Sequence, residues 1–224
     1  MDFNIIDILL RAPVIFFSLT IHEFMHAWTA WKCGDDTALR RGRVTLNPLA
    51  HLDPIGTVLL FFGPIGWAKP VPVQWYNLHR PRRDDILVSS AGVAANLAVG
   101  VLLALVVRFL VWQDMLPQSR MAQIFWGMMG WGIMLNLGLA MFNLLPLHPL
   151  DGSHVLSNLL PATASARFEE SRNTTMIILG ILLLLNWLVF PGFLYTPAVH
   201  LMVFLAGDTG TGHLLANMWL YTGK

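Results

Sequence analysis

The chain has 224 residues, of which 55% are hydrophobic and only 12% are charged, and its net charge is +1. A soluble domain carries about a quarter charged residues, so the composition excludes an ordinary soluble globule and points to an integral membrane protein. The near-zero charge gives no argument for a nucleic-acid partner, and the single cysteine, Cys33, excludes an intrachain disulfide or a cysteine-based metal cluster.

The first apolar run, residues 5–32, is long enough for a membrane-spanning helix. The first thirty residues do not read as a cleaved signal, because they begin acidic, with Asp2 and Asp7, and carry polar residues inside their hydrophobic part. Those residues are His22-Glu23-Phe24-Met25-His26. Histidines four apart share one helix face, with β-carbons about 5–6 Å apart, close enough to ligate one ion. Glu23 lies about a third of a turn from His22, where it can reach a water at the ion without being a ligand. Ionisable groups in lipid are costly and are kept where they line a cavity or serve function. The plain alternative is a hydrogen-bonded polar patch between helices.

A polar stretch with Arg40, Arg41 and Arg43 leads into a loop marked by Asn47-Pro48 and Asp53-Pro54. Residues 55–67 are apolar but broken by Gly56, Gly63, Pro64 and Gly66, which fits a re-entrant or interfacial segment better than a span. Residues 67–76 alternate small β-branched residues with Pro70 and Pro72. They predict an edge strand whose Lys69, Val71 and Val73 hold an extended peptide, or else an interfacial loop anchored by Trp67, Trp75 and Tyr76.

Residues 86–112 form the second clear span, rich in small residues and containing Asn96, and residues 121–145 form the third, with Asn136. Pro146 and Pro149 end that helix, Asp151-Gly152 turns the chain, and Arg167 to Arg172 make a short polar connection. Residues 174–207 carry no charge and give one span plus a shorter apolar segment, interrupted at Pro191-Gly192. The tail, with Trp219 and Tyr221, reads as interfacial. The expectation is an all-α polytopic membrane protein, one domain over 1–224, with roughly five to six transmembrane helices and a re-entrant or β-hairpin-like segment near residues 55–76. Eight lysines and arginines lie from Lys32, at the end of the first span, to Arg83, before the second, against Arg120 alone in the next connection. The positive-inside tendency therefore places residues 32–85 in the cytoplasm and the N-terminus outside. Alternation brings Asp151 to the same side as the end of the first span.

His22-Glu23-Phe24-Met25-His26, followed by Asn143-Leu-Leu-Pro-Leu-His-Pro-Leu-Asp151-Gly152, resembles the site-2 protease family of intramembrane zinc metalloproteases. The likeness extends to the segments that begin at Asn47, Gly66 and Ala91, the last ending at Asn96, and covers most of residues 15–155. It implies a short prokaryotic form of a bare catalytic core, without PDZ or CBS domains, in the inner membrane. His148 departs from the apolar residue or proline expected at its place.

The resemblance implies that His22, His26 and Asp151 hold one Zn²⁺ per chain and that Glu23 acts as general base. Asn143, beside the third ligand, is the candidate donor to the oxyanion. Asn96 is placed near the site or its substrate by the same likeness; interhelical hydrogen bonding is its plain alternative and the preferred one for Asn136. Asp151 read alone would be a turn residue before glycine. The partners expected are the lipid bilayer and a membrane-protein substrate, a single-pass helix or membrane stub, cut near its cytoplasmic end. Two other classes compete: a proteolytically inactive relative that binds membrane segments, which would need neither Glu23 nor Asp151, and a metal-ion transporter. The transporter needs polar residues continuing across the membrane, and residues 97–107 and 176–185 carry no charge.

Overall fold

Nine helices order the described residues of the computed structural model, which are 5–62, 66–190 and 192–219. They are α1 (Ile5–Lys32), α2 (Thr37–Arg40), α3 (Pro54–Phe62), α4 (Pro81–Trp112), α5 (Arg120–Asn143), α6 (Asp151–Leu159), α7 (Ala162–Glu170), α8 (Arg172–Leu188) and α9 (Thr196–Trp219). Residues Ile8–Lys32 of α1, all of α4 and all of α5 are long and apolar enough to cross a membrane. The α7–α8 pair, bent by 58°, makes a fourth crossing if it is one broken span. Three or four candidate spans among the described residues thus stand where five to six were expected. The difference lies at the C-terminal end. There α8 stops at Leu188, and α9 is kinked at Gly207, whose φ of 78° suits glycine.

The first helices have local causes. α4 begins with Pro81, whose fixed φ suits the first helical position, and the Asp84 carboxylate accepts the Arg80 N–H at 2.7 Å. α5 begins where the Ser119 hydroxyl accepts the Ala122 N–H at 3.2 Å. α3 is capped by Asp53, whose side chain accepts the Gly56 N–H at 2.8 Å.

No β-strand forms among the described residues. The expected hairpin reduces to an isolated antiparallel bridge, Leu52 with Ala68, and a Lys69 N–H to His51 carbonyl bond of 2.8 Å. Pro70 and Pro72 have no N–H to donate, so the ladder cannot continue past Lys69. Gly63 and Pro64, on which the re-entrant expectation partly rests, lie outside the described residues, as do Pro191 and Tyr221.

The chain divides into two compact units. One comprises Met1–Ser18, Asn96–Leu139 and Tyr195–Lys224. Its buried apolar side chains include Ile133, Leu137, Met202 and Leu214. Among them sits a polar knot: the Asn96 amide donates to Asn136 Oδ1 (3.1 Å) and to the Ser18 carbonyl (3.3 Å), and Asn136 donates to Ser18 Oγ (2.8 Å). Buried amides must be paired in this way, and the knot fixes helix register.

The other unit comprises Leu19–Ala95 and Ala140–Leu194. Ala30, Leu78 and Val88 form a small core, with Cys33 and Val73 against it. The fully buried Asp35 carboxylate ties the end of α1 to the loop before α4, accepting the Gln74 N–H (2.6 Å), the Asn77 amide (3.1 Å) and both donors of Thr37. Burial alone would raise its pKa; these donors outweigh burial and hold the carboxyl below its usual range.

Candidate metal centre

All three expected ligands belong to this second unit. His22 and His26 follow each other by one turn on α1, both buried, with ring centroids 4.6 Å apart and planes nearly perpendicular. α4 presses on them where it has no side chain. A β-carbon added at Gly92 would lie 2.5 Å from His26 Nε2 and 2.8 Å from His22 Cε1, so only glycine fits. One turn earlier on α4, the Val88 carbonyl accepts from His26 Nδ1–H at 2.7 Å. That bond fixes the tautomer and leaves the Nε2 lone pair for a metal.

Asp151 is the first residue of α6. The turn that delivers it is tight: a β-carbon at Gly152 would stand 2.4 Å from the Leu144 carbonyl oxygen and 2.5 Å from that of Leu145. Asp151 Oδ2 lies 3.2 Å from His22 Nε2 and 3.3 Å from His26 Nε2, and the two Nε2 atoms are 3.0 Å apart. Tetrahedral ligands at Zn–N distances of about 2.0–2.1 Å stand about 3.3 Å from one another, so the three atoms already sit near the edges of such a figure. Asp151 Oδ2 is buried and accepts no hydrogen bond of ordinary geometry. Burial raises the pKa of this carboxyl, but the imidazoles facing it prevail and keep it well below the usual range. Two nitrogens and one carboxylate oxygen, buried and converging, fit a zinc ion. Among the described residues, this is the group of three His, Cys, Asp or Glu side chains so arranged.

Glu23, half-buried beside the pair, accepts the Val71 N–H on Oε2 at 3.0 Å. The structure thus brings Glu23 and Val71 together with the ligand-bearing helix. Lys69 is exposed and Val73 packs on the Ala30–Leu78–Val88 core. Asn143 ends α5, half-buried, next to the Leu144 carbonyl that abuts Gly152. Asn96 belongs to the other unit and is engaged in the Ser18–Asn136 knot, the arrangement that sequence had favoured for Asn136. His148 is buried outside the triad, with Nδ1 2.9 Å from Thr175 Oγ1, Nε2 3.4 Å from Glu169 and its ring against Phe168.

Two contributors escaped the sequence. Val88 acts through a backbone carbonyl, which no side-chain pattern reveals. Arg43, one of several basic residues beyond the first span, is buried and turned inward: Nη1 donates to the Pro70 carbonyl (3.1 Å) and Nη2 to that of Lys69 (2.6 Å).

Comparison with known proteins agrees with this geometry. The model of Peptidase family M50 matches residues 113–186, which include Asn143 and Asp151. YwhC of Bacillus subtilis (strain 168), which bears the name "Putative zinc metalloprotease", is 40% identical over 171 residues, 74% of this chain and 75% of the relative. Rip2 of Mycolicibacterium smegmatis, similarly named, is 32% identical over 75% of this chain and 63% of its own length. Rip2 of Mycobacterium tuberculosis (strain H37Rv) is 31% identical over the same shares. No solved structure matches the chain. The chain is a metalloprotease and belongs to peptidase family M50, the site-2 protease family.

Proposed function

We propose that this chain is an intramembrane zinc endopeptidase that cuts membrane-protein segments near the cytoplasmic face of a prokaryotic inner membrane. The observation that carries the reading is the convergence of Asp151 on His22 and His26 beside Glu23, the last three on a helix apolar enough to span a bilayer. The zinc names of the relatives and the tetrahedral spacing support the choice of ion. Clustering of basic residues between α1 and α4 supports a cytoplasmic site and an external N-terminus.

His22, His26 and Asp151 would hold the zinc, which would supply a Lewis acid and lower the pKa of a water to about 7. Glu23 takes the proton of the attacking water and returns it to the amine nitrogen as the peptide C–N bond breaks and the C–O bond forms. The Val71 N–H holds Glu23 Oε2, leaving Oε1 for that traffic. Asn143 donates to the developing oxyanion. A helical substrate hides its carbonyls and must unwind; Lys69, Val71 and Val73, in a segment without regular structure beside Glu23, would receive the extended chain.

The test begins with zinc per molecule in detergent-purified protein. We expect near one in the parent and much less in His22→Ala and Asp151→Ala. Cleavage of single-span membrane peptides should then be lost in Glu23→Gln with zinc retained. A parent that binds no supplied zinc, or a Glu23→Gln protein that cuts as fast as the parent, sinks the reading.

A further inference from the structure

We infer that Arg43 is a positioning residue that aims Glu23 through a single peptide bond. The inference rests on the role proposed above for Glu23, and it deepens that reading.

The Pro70–Val71 peptide is trans, so its carbonyl and its N–H point in opposite directions. The carbonyl accepts Arg43 Nη1 at 3.1 Å, and the N–H donates to Glu23 Oε2 at 3.0 Å. A guanidinium therefore stands at the negative end of one peptide dipole and a carboxylate at its positive end. Each polarises the group in the sense that strengthens the other bond. Val71 is flanked by Pro70 and Pro72, so its N–H is the one backbone donor that these three residues possess. The two prolines also hold Lys69 and Val71 to extended backbone.

The guanidinium is itself built in. It is buried, and its fork grips the carbonyls of Lys69 and Pro70 together, a bidentate geometry that an ammonium cannot reproduce. Nη2 also lies 3.4 Å from His51 Nδ1. His51 Nε2–H donates to the Thr45 carbonyl at 2.8 Å, which leaves Nδ1 as the acceptor. Burial pushes the pKa of His51 down, consistent with the neutral ring that this acceptor requires. The Lys69 N–H closes the ring on the His51 carbonyl at 2.8 Å. Residues 43–52 and 68–71 thus form a frame whose output is one N–H aimed at the general base. Arg43 touches neither substrate nor metal ligand in this scheme; its action is on the direction of Glu23.

The test compares Arg43→Ala, Val71→Pro and Glu23→Gln with the parent. The substrates are labelled single-span peptides whose apolar helix is interrupted by Gly-Pro near the cytoplasmic end. Arg43→Ala should keep its zinc and its KM and lose kcat by about tenfold or more, with part of the loss restored by added guanidinium ion but not by ammonium. Val71→Pro, which deletes the donor and leaves Arg43 in place, should keep its zinc and lose kcat to a similar extent, whatever it does to KM. A second readout needs no substrate. In ¹⁵N-valine-labelled protein, the Val71 amide proton should move upfield in both Glu23→Gln and Arg43→Ala, because each removes one end of the relay. A raised KM with unchanged kcat, or a Val71 amide that shifts in Glu23→Gln but not in Arg43→Ala, overturns the inference and leaves the protease reading standing. A Glu23→Gln protein as active as the parent overturns both.

Discussion

At the residue scale the centre depends on atoms that are missing as much as on those present. Gly92 leaves the gap into which the two imidazoles turn, and an added methyl would meet His26 Nε2 at 2.5 Å. Since the rings must shift or α4 must retreat, Gly92→Ala should bind less than about a tenth of the parental zinc while keeping most of its helicity, measured by metal analysis and circular dichroism. Asp35 makes a different demand. Its carboxyl titrates below its usual range in the folded protein, so its contribution to stability is present above the unfolded value of about 4 and is lost as pH falls through the lower, folded one. The parent should therefore lose Tm from about pH 4 downward. Asp35→Asn should lose about 1–3 kcal/mol at neutral pH and show a flatter acid limb, both read from melting in detergent. An Asn with the same acid limb as the parent would remove Asp35 as its cause.

The helices α1, α4 and α5 were legible in the sequence because a bilayer sets a length that apolar runs must meet. The run expected at 5–32 is α1 to the residue, and that expected at 121–145 is α5 within two. α4 starts five residues before the apolar run, since Pro81 and Asp84 set its first turn in the polar region. Removing that cap by Asp84→Ala should cost about 1 kcal/mol, visible as a lower Tm with zinc content unchanged. The hairpin was misread because β-branched alternation at Val71 and Val73 says nothing of where N–H groups find partners; two prolines and the Arg43 fork decide that instead. The centre itself was legible where its chemistry resides in side chains at helical spacing. Val88, which contributes a carbonyl, and Arg43, which meets its carbonyls about 27 residues further along, leave no local pattern.

For the whole molecule, the metal should act as a structural ligand as well as a reagent. A group that binds the folded state alone stabilises it by mass action, about 4 kcal/mol when free metal exceeds its dissociation constant a thousandfold. Chelation should therefore lower the Tm of the parent by several degrees and leave that of His22→Ala unmoved. Orientation is testable through Cys33, which directly follows the first span and is the chain's one cysteine. With the basic loop in the cytoplasm, a membrane-impermeant thiol reagent should label Cys33 in opened cells and not in intact ones. Labelling of intact cells would invert the proposed topology.

The delivery of Asp151 by a turn far down the chain has a consequence in time. On the ribosome, His22 and His26 are made early, and Asp151 follows about 125 residues after His26, a delay on the order of ten seconds at ordinary rates of synthesis. Through that interval the growing polypeptide would hold two of the three proposed ligands. On the proposed ligand set, catalysis would therefore be withheld until α6 has emerged and the Gly152 turn has closed on the end of α5. Nascent chains stalled before Asp151 should carry little zinc, and chains released after α6 should carry the full complement.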